Sequence, residues 1–305
     1  MQVVEVHAKS MLNRAPAKYG FRWTLNPYRG CQHACVYCFA RYTHTFFDLD
    51  PGEAFSQVIF VKVNAVPVLR AELRRPSWRQ EHVAIGTATD PYQPLEGRYR
   101  LMPGIIRTLA EFYTPFSIVT KNTMVLRDIP VLREASRRVR VTVTLSLTTV
   151  DPALARELEP DTPPPAQRLR VAQELQAQGI ATGIALAPII PGITDGEAHL
   201  RQLIQTVVAH GLPIAFYQVL RLYDATRPTL FAYLARRRPA LIAAYRRGYA
   251  AQEPPLPYVQ RLYERVERLL RELGASPLTP PEVEPLQLPL PFDAAEDGEM
   301  SISPV

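Results

Sequence analysis

The stretch CQHACVYC, residues 31 to 38, holds Cys31, Cys35 and Cys38, and the rest of the 305-residue chain contains no cysteine. Three thiols within eight positions are placed to act together. An odd number argues against a disulfide framework and for metal binding or catalysis. A structural zinc site needs four protein ligands, with a fourth from His33 or a distant histidine. A four-iron cluster is normally held by four thiolates. Three would leave one iron with an open position, free to bind a substrate or cofactor through its own heteroatoms. The first residues, MQVVEVHAKSMLNRAP, lack a basic segment followed by an apolar one. No run of about 18 apolar residues occurs, so nothing reads as a membrane span. The expectation is a cytoplasmic, reducing location.

Apolar, β-branched runs alternate with segments of helical period around these thiols. The strand candidates are FRWTL (21–25), VIFVKV (58–63), HVAIGT (82–87), FSIVTK (116–121), VRVTVTLSLT (139–148), IATGIALAPII (180–190) and IAFYQVL (214–220). Continuous apolar runs suit parallel strands covered on both faces. The helical stretches run from Pro103 to Tyr113, Met124 to Arg137, Pro165 to Gln178 and Gly196 to His210. Repeated strand–helix–strand units predict an α/β parallel sheet or barrel. After residue 225 the pattern turns helical. From Tyr258 to Leu273 one apolar stripe (Val259, Leu262, Tyr263, Val266, Leu269, Leu270, Leu273) reads as core packing. The division is an N-terminal extension (1–18), a barrel (19–225), a helical segment (226–274) and a disordered tail rich in proline and acid (275–305).

The net charge is +6, but the tail carries six acids and no Lys or Arg, which leaves +12 on the first 274 residues. Such a body attracts polyanions, nucleic acid above all. The stretches YLARRRPALIAAYRRGY and LREASRRVR concentrate this charge, with Tyr245 and Tyr249 interleaved for base stacking. They support an alternative reading, an iron–sulfur nucleic-acid-binding or recruitment protein without radical catalysis.

The spacing Cys31-x3-Cys35-x2-Cys38, with Tyr37 before the last cysteine, resembles the cluster loop of the radical S-adenosylmethionine (SAM) superfamily. LNPYRGC, AIGTATDPYQPLEG, IVTKN, LEPDTPPPAQRL and APIIPGITD are similar to the spore photoproduct lyase-like branch, also called DNA repair photolyase-like, in an uncharacterised bacterial subgroup. The resemblance covers roughly residues 20 to 250. It implies a partial (β/α)6 TIM-type barrel and a [4Fe–4S] cluster on the three cysteines. It also implies SAM on the open iron, cleaved reductively to a 5′-deoxyadenosyl radical, and a flavodoxin- or ferredoxin-type electron donor.

In such barrels the chemistry gathers at the C-terminal ends of the strands. The resemblance places Thr89 and Asp90 near the methionyl ammonium, Lys121 at the carboxylate, and Ser146 near the ribose or methionyl portion. It brings the Tyr37 backbone to the adenine edge and makes Pro188 a wall for that ring. Read without the family, Asp90-Pro91 is a turn initiator, a strand serine can bond its own backbone, and His33 is a bland imidazole. The lyase itself uses a further cysteine to return a hydrogen atom, and this chain has no fourth. Either a tyrosine replaces it, with Tyr92 and Tyr217 as candidates, or the substrate differs. Finally, Gln287, Leu290 and Phe292 in QLPLPF are similar to the short motif that docks bacterial DNA polymerases and repair proteins on the sliding clamp, which would make the clamp a partner.

Overall fold

The computed structural model describes residues 1–16 and 20–279. The clamp-like motif Gln287, Leu290 and Phe292 and the tail from residue 280 lie outside the described residues.

Among the described residues, ten strands are distributed over two sheets. The short strands β1 (Gln2–Val6), β2 (Leu12–Arg14), β3 (Trp23–Leu25) and β4 (Tyr28–Arg29) precede the thiol loop. A 3-10 helix, Phe39–Phe47, and the single turn α1 (Ala54–Gln57) lead from the thiols into β5 (Val58–Lys62). Then come α2 (Ala65–Leu73), β6 (Val83–Ile85), α3 (Glu96–Tyr99), α4 (Leu101–Glu111), β7 (Phe116–Thr120), α5 (Ile129–Ser136) and β8 (Val141–Leu147). The chain continues through α6 (Pro152–Leu158), α7 (Pro165–Ala177), β9 (Thr182–Ile189), α8 (Glu197–Ala209) and β10 (Ile214–Val219). It closes with α9 (Arg227–Arg237), α10 (Ile242–Gly248) and α11 (Leu256–Glu272). No helix among the described residues is long and apolar enough to cross a membrane.

The larger sheet has the order β10-β9-β8-β7-β6-β3-β2. Its six strands from β3 to β10 are parallel and follow one another in chain order, with β2 antiparallel on the outer edge. This is the sheet of a partial (β/α)6 barrel. All seven residues of β8 are buried, as its run of alternating Val and Thr between two covered faces requires. One expectation changes. The 58–63 run is a strand but not a barrel strand, because β5 pairs with β1 in parallel and with β4 in antiparallel in a separate three-stranded sheet. Its apolar residues could not reveal that, since they pack equally well in either sheet.

Helix limits follow local chemistry. Helix α7 starts on Pro165, whose missing N–H is one that a first turn leaves unpaired anyway, and Gly179 takes the left-handed position just past its end. The expected helix from Met124 splits into a 3-10 turn, Thr123–Asp128, and α5, with Pro130 at the start of α5. On α11, Leu262, Val266 and Leu269 are buried in the main core, and Tyr263 packs edge-on against Tyr217 of β10. The outer edge of β10 is partly paired as well. The Ile214 N–H donates to the Ser276 carbonyl, and the Leu278 N–H donates to the Ile214 carbonyl. Order therefore extends past residue 274, where the sequence reading placed the start of the tail.

Gly86 ends β6 with φ +86°, and a Cβ there would run into the Val119 carbonyl and lie 2.8 Å from Pro91 Cδ. That close approach sets the exit of the 87–90 loop beside the end of β7. Gly86→Ala is expected to lower stability by at least about 2 kcal/mol, read as a shift in the urea midpoint. A shift below about 0.5 kcal/mol would mean the loop does not depend on the approach.

Candidate functional site

The thiol loop leaves β4 through Gly30 at φ +83°, where a Cβ would meet the Val58 carbonyl at 2.8 Å and Ile59 Cδ1 at 2.9 Å. Ala34 also has positive φ (53°), so the chain turns tightly between Cys31 and Cys35. Cys31 and Cys35 are buried and Cys38 is partly so. Three contacts fix the loop from other elements. The Val36 N–H donates to the Leu158 carbonyl at the end of α6 (3.0 Å), the Cys31 N–H to the Phe55 carbonyl (3.0 Å), and Thr226 Oγ1 to the Cys38 carbonyl (2.9 Å). The buried Arg41 guanidinium donates to the Cys35 carbonyl (3.0 Å) and to Pro51 and Gly52.

Among the described residues, no group of three His, Cys, Asp or Glu side chains converges as the ligands of a single ion would. The donor set is three soft thiols with buried cations around them. That suits a multi-iron cluster better than a lone zinc.

Asp90 is the junction of the site. Its Oδ1 accepts from the Tyr92 N–H (2.9 Å) and Thr120 Oγ1 (2.7 Å), and its Oδ2 from the Lys121 N–H (2.7 Å). His33 Nδ1 lies 3.3 Å from Oδ2, and the other ring nitrogen faces the Asn122 amide at 3.3 Å. Burial opposes the charge on Asp90, yet His33 beside it and these donors bring its pKa down to about 2. Burial likewise opposes a charged His33, but Asp90 and Cys31 outweigh it and push that pKa up to about 10. The Cys31 thiol is held below its usual range because His33 outweighs burial, whereas burial dominates at Cys35 and Cys38 and raises both. Asp90 thus ties the cluster loop to the ends of β6 and β7. His33, read as bland from the sequence, is the link.

Thr89 is likewise used in the fold, its Oγ1 donating to the Gly30 carbonyl at 2.6 Å. Ser146 Oγ donates to the Ala187 carbonyl on the neighbouring strand at 2.8 Å. Pro188 is partly buried at the end of β9. Lys121 is the best-placed of the sequence candidates. Its Nζ sits 5.9 Å over the Tyr37 ring. Burial works against its charge, but the nearby Cys35 sulfur and Glu159 carboxylate hold its pKa above the usual value.

The two candidate hydrogen donors pack in or against the main core, not in the apolar clusters that include the thiols. Tyr92 is wholly buried in the main core, its hydroxyl near Asp128 without a well-formed hydrogen bond. Tyr217 faces outward under α11, its hydroxyl donating to Glu267 at 2.9 Å. Tyr245 and Tyr249 are not available for stacking on bases either. Both are buried, their hydroxyls donating to the Pro191 and Leu220 carbonyls, because α9 and α10 fold over the thiol loop instead of standing free.

The sequence reading missed Glu159 and Arg168. Glu159 is 2% exposed and Arg168 1%, and they pair at 2.5 Å. The Tyr37 hydroxyl donates to Glu159, Thr148 Oγ1 lies 3.2 Å from the same oxygen, and Arg168 donates to the Ser146 carbonyl at 3.0 Å. Burial raises the Glu159 pKa, but Arg168 and Lys121 bring it below the usual range. The only hint was their place at the two ends of the proline-rich LEPDTPPPAQRL.

The sequence model described as the Radical SAM superfamily matches residues 25–204. An uncharacterized protein of Mycobacterium tuberculosis is 46% identical over 293 residues, 94% of this chain and 86% of its own length. One of Methanocaldococcus jannaschii is 27% identical over 198 residues, 65% of this chain and 71% of its own. Among solved structures, a spore photoproduct lyase variant superposes with TM-score 0.66 at 17% identity, over 91% of this chain and 82% of that one. Another variant of that lyase, solved with bound AdoMet and dinucleoside spore photoproduct, gives 0.66 at 16% identity over the same shares. At such identities the likeness shows the fold.

Arg168→Ala would leave Glu159 charged, buried and without its guanidinium. The expected loss is about 3–5 kcal/mol of unfolding free energy by chemical denaturation, against about 1 kcal/mol for Thr148→Val. Equal effects would show that the pair carries no special weight.

Proposed function

This chain belongs to the radical SAM superfamily, and from that premise we propose that it is a radical SAM enzyme acting on nucleic acid, with Cys31, Cys35 and Cys38 holding a [4Fe–4S] cluster. When bound, the reduced cluster and SAM supply reductive cleavage of the sulfonium to methionine and a 5′-deoxyadenosyl radical. An external one-electron donor of the flavodoxin or ferredoxin type is required.

One observation carries the reading. Of the buried cations around the loop, Arg168 has Glu159, His33 has Asp90, and Arg41 is spent on loop carbonyls. The Lys121 ammonium alone forms no hydrogen bond or ion pair among the described residues. A partly buried cation with no hydrogen bond or ion pair of its own, beside a Glu159 carboxylate already paired with Arg168, is a seat for an anion. The SAM carboxylate is the anion that the superfamily brings to this place. Around that seat the chain's own groups fix geometry. Glu159 holds Tyr37 by its hydroxyl, so the ring stays under Lys121. Asp90 holds the Lys121 backbone and, through His33, the loop that carries Cys31. Thr89 and Ser146 act by fixing carbonyls rather than by presenting hydroxyls to a ligand. The apolar packing of α9 and α10 on Cys35 and Tyr37 keeps water from the thiols. The nucleic-acid part of the reading is supported by the arginine-rich body and by the fold shared with spore photoproduct lyase.

The direct test is anaerobic incubation of the reduced, reconstituted protein with SAM, with 5′-deoxyadenosine and methionine as the expected products. Stoichiometric zinc without iron after anaerobic purification would overturn the reading. Each single Cys→Ala variant should lose the cluster. Lys121→Ala should keep its iron and lose about 2–5 kcal/mol of SAM binding, as for removing one partner of a desolvated pair. Unchanged SAM affinity would place the carboxylate elsewhere.

A further inference from the structure

The 3-10 helix that follows Cys38 leaves an unusual surface. Phe39, Phe46 and Phe47 are 38%, 65% and 45% exposed, half of the large apolar side chains exposed to this degree among the described residues. They are not scattered. Tyr42 stacks on Tyr223 with ring centroids 5.6 Å apart, Phe39 lies 5.8 Å from the same Tyr223, and Tyr42 meets Phe46 edge-on at 5.7 Å. The Arg29 guanidinium lies 4.9 Å from the Phe47 ring centre and 5.6 Å from that of Phe46. The result is one aromatic ledge with a cation set against it, beginning at a cluster ligand.

In the chain, Tyr223 also leads into a charged helical layer. It immediately precedes the short turn Asp224–Thr226 that leads into α9, and Arg227 at the start of α9 donates to the Tyr249 carbonyl just past α10. The last turns of α9 and α10 carry Arg236, Arg237, Arg246 and Arg247, all exposed. None of the four forms an ion pair or hydrogen bond among the described residues. The acids nearby are already engaged, Asp224 by Arg227, Glu253 by Arg221 and Glu157 by Arg238.

We propose that the aromatic ledge and the α9–α10 arginines form one docking surface for unpaired nucleic acid, the rings stacking on bases and the arginines meeting phosphates. This rests on the nucleic-acid reading above and specifies a single strand or an unstacked segment. Exposed rings can stack only on bases that are not already paired and stacked, whatever their identity. A duplex would offer only its phosphates.

The test uses the full chain, anaerobically reconstituted, and a fluorescent oligonucleotide, either single-stranded or in a duplex of the same sequence. Tighter binding of the single strand is expected. Phe46→Ala with Phe47→Ala should weaken it about tenfold or more, with iron content retained. Phe46→Ala alone, at the most exposed ring, should still weaken it several-fold and guards against misfolding of the double variant. Replacing the four arginines by alanine should flatten the slope of log affinity against log salt by roughly 3. Unchanged affinity and slope in both sets of variants would overturn the surface. So would a different outcome, in which oligonucleotide binding is unaffected while flavodoxin-driven cluster reduction slows, since that would make the ledge an electron-donor face. A wild-type chain that cleaves SAM but binds no oligonucleotide would remove this surface and leave the radical chemistry standing. Oligonucleotide binding with the expected variant losses but no SAM cleavage would keep the surface and remove the catalytic reading.

Discussion

The carboxylate of Asp90 is the interaction on which the rest of the site depends. It gathers the start of its own turn, the hydroxyl at the end of β7, the backbone of Lys121 and the imidazole of His33 onto two oxygens. Without it, the thiol loop would keep Thr89 on the Gly30 carbonyl and His33 beside Asn122 but lose its one charged tie to the end of β7. A charge this deeply buried is tolerable only because each contact favours the ionised form. Glu159 repeats the arrangement on the other side of the loop, joining Tyr37, Thr148 and Arg168. Two buried carboxylates therefore bracket the three cysteines, each with its own cation. Lys121, whose ammonium lies over the Tyr37 ring, feels both carboxylates without pairing directly with either.

Much of the frame was legible in the sequence. Parallel strands covered on both faces must be apolar at nearly every position, so β8 and β9 read clearly, and α11 announced itself by its stripe. The thiols were legible because their number and spacing have few alternative explanations. What the sequence hid was partnership. Asp90 and Ser146 looked like ligand groups because their types and strand-end positions suit that role. Their hydrogen-bond partners within the fold, Thr120, Lys121 and Ala187, lie 30 or 40 residues away and could not be read from the neighbouring sequence. Glu159 and Arg168 were passed over for the converse reason, since a charged pair in a proline-rich connection ordinarily faces water. Tyr92, Tyr217, Tyr245 and Tyr249 illustrate the same limit. A tyrosine's value as a donor or a stacking platform depends on exposure and direction, and neither can be read from its neighbours in the chain.

The arginine content likewise divides into kinds that composition cannot separate. Arg41 and Arg168 are interior groups that hold carbonyls and a carboxylate. Arg201 and Arg268 form a surface lattice with Glu197 and Glu272 around α8 and α11. Such exposed pairs contribute little to stability. Only the cations left over after this accounting create a field at the surface.

Cys35 and Tyr37 belong to the same apolar cluster as Leu230, Tyr233, Leu234, Tyr245 and Tyr249 of the helical layer. The thiol loop is thus part of the core of α9 and α10, and the two cannot loosen independently. Whatever binds the folded loop and not the open one must stabilise those helices by mass action. With the proposed cluster in that loop, its oxidative loss would register as local unfolding of a segment rich in arginine, the residue that trypsin cuts. The sensitivity of this layer to limited digestion becomes a record of how much of a purified sample has met air.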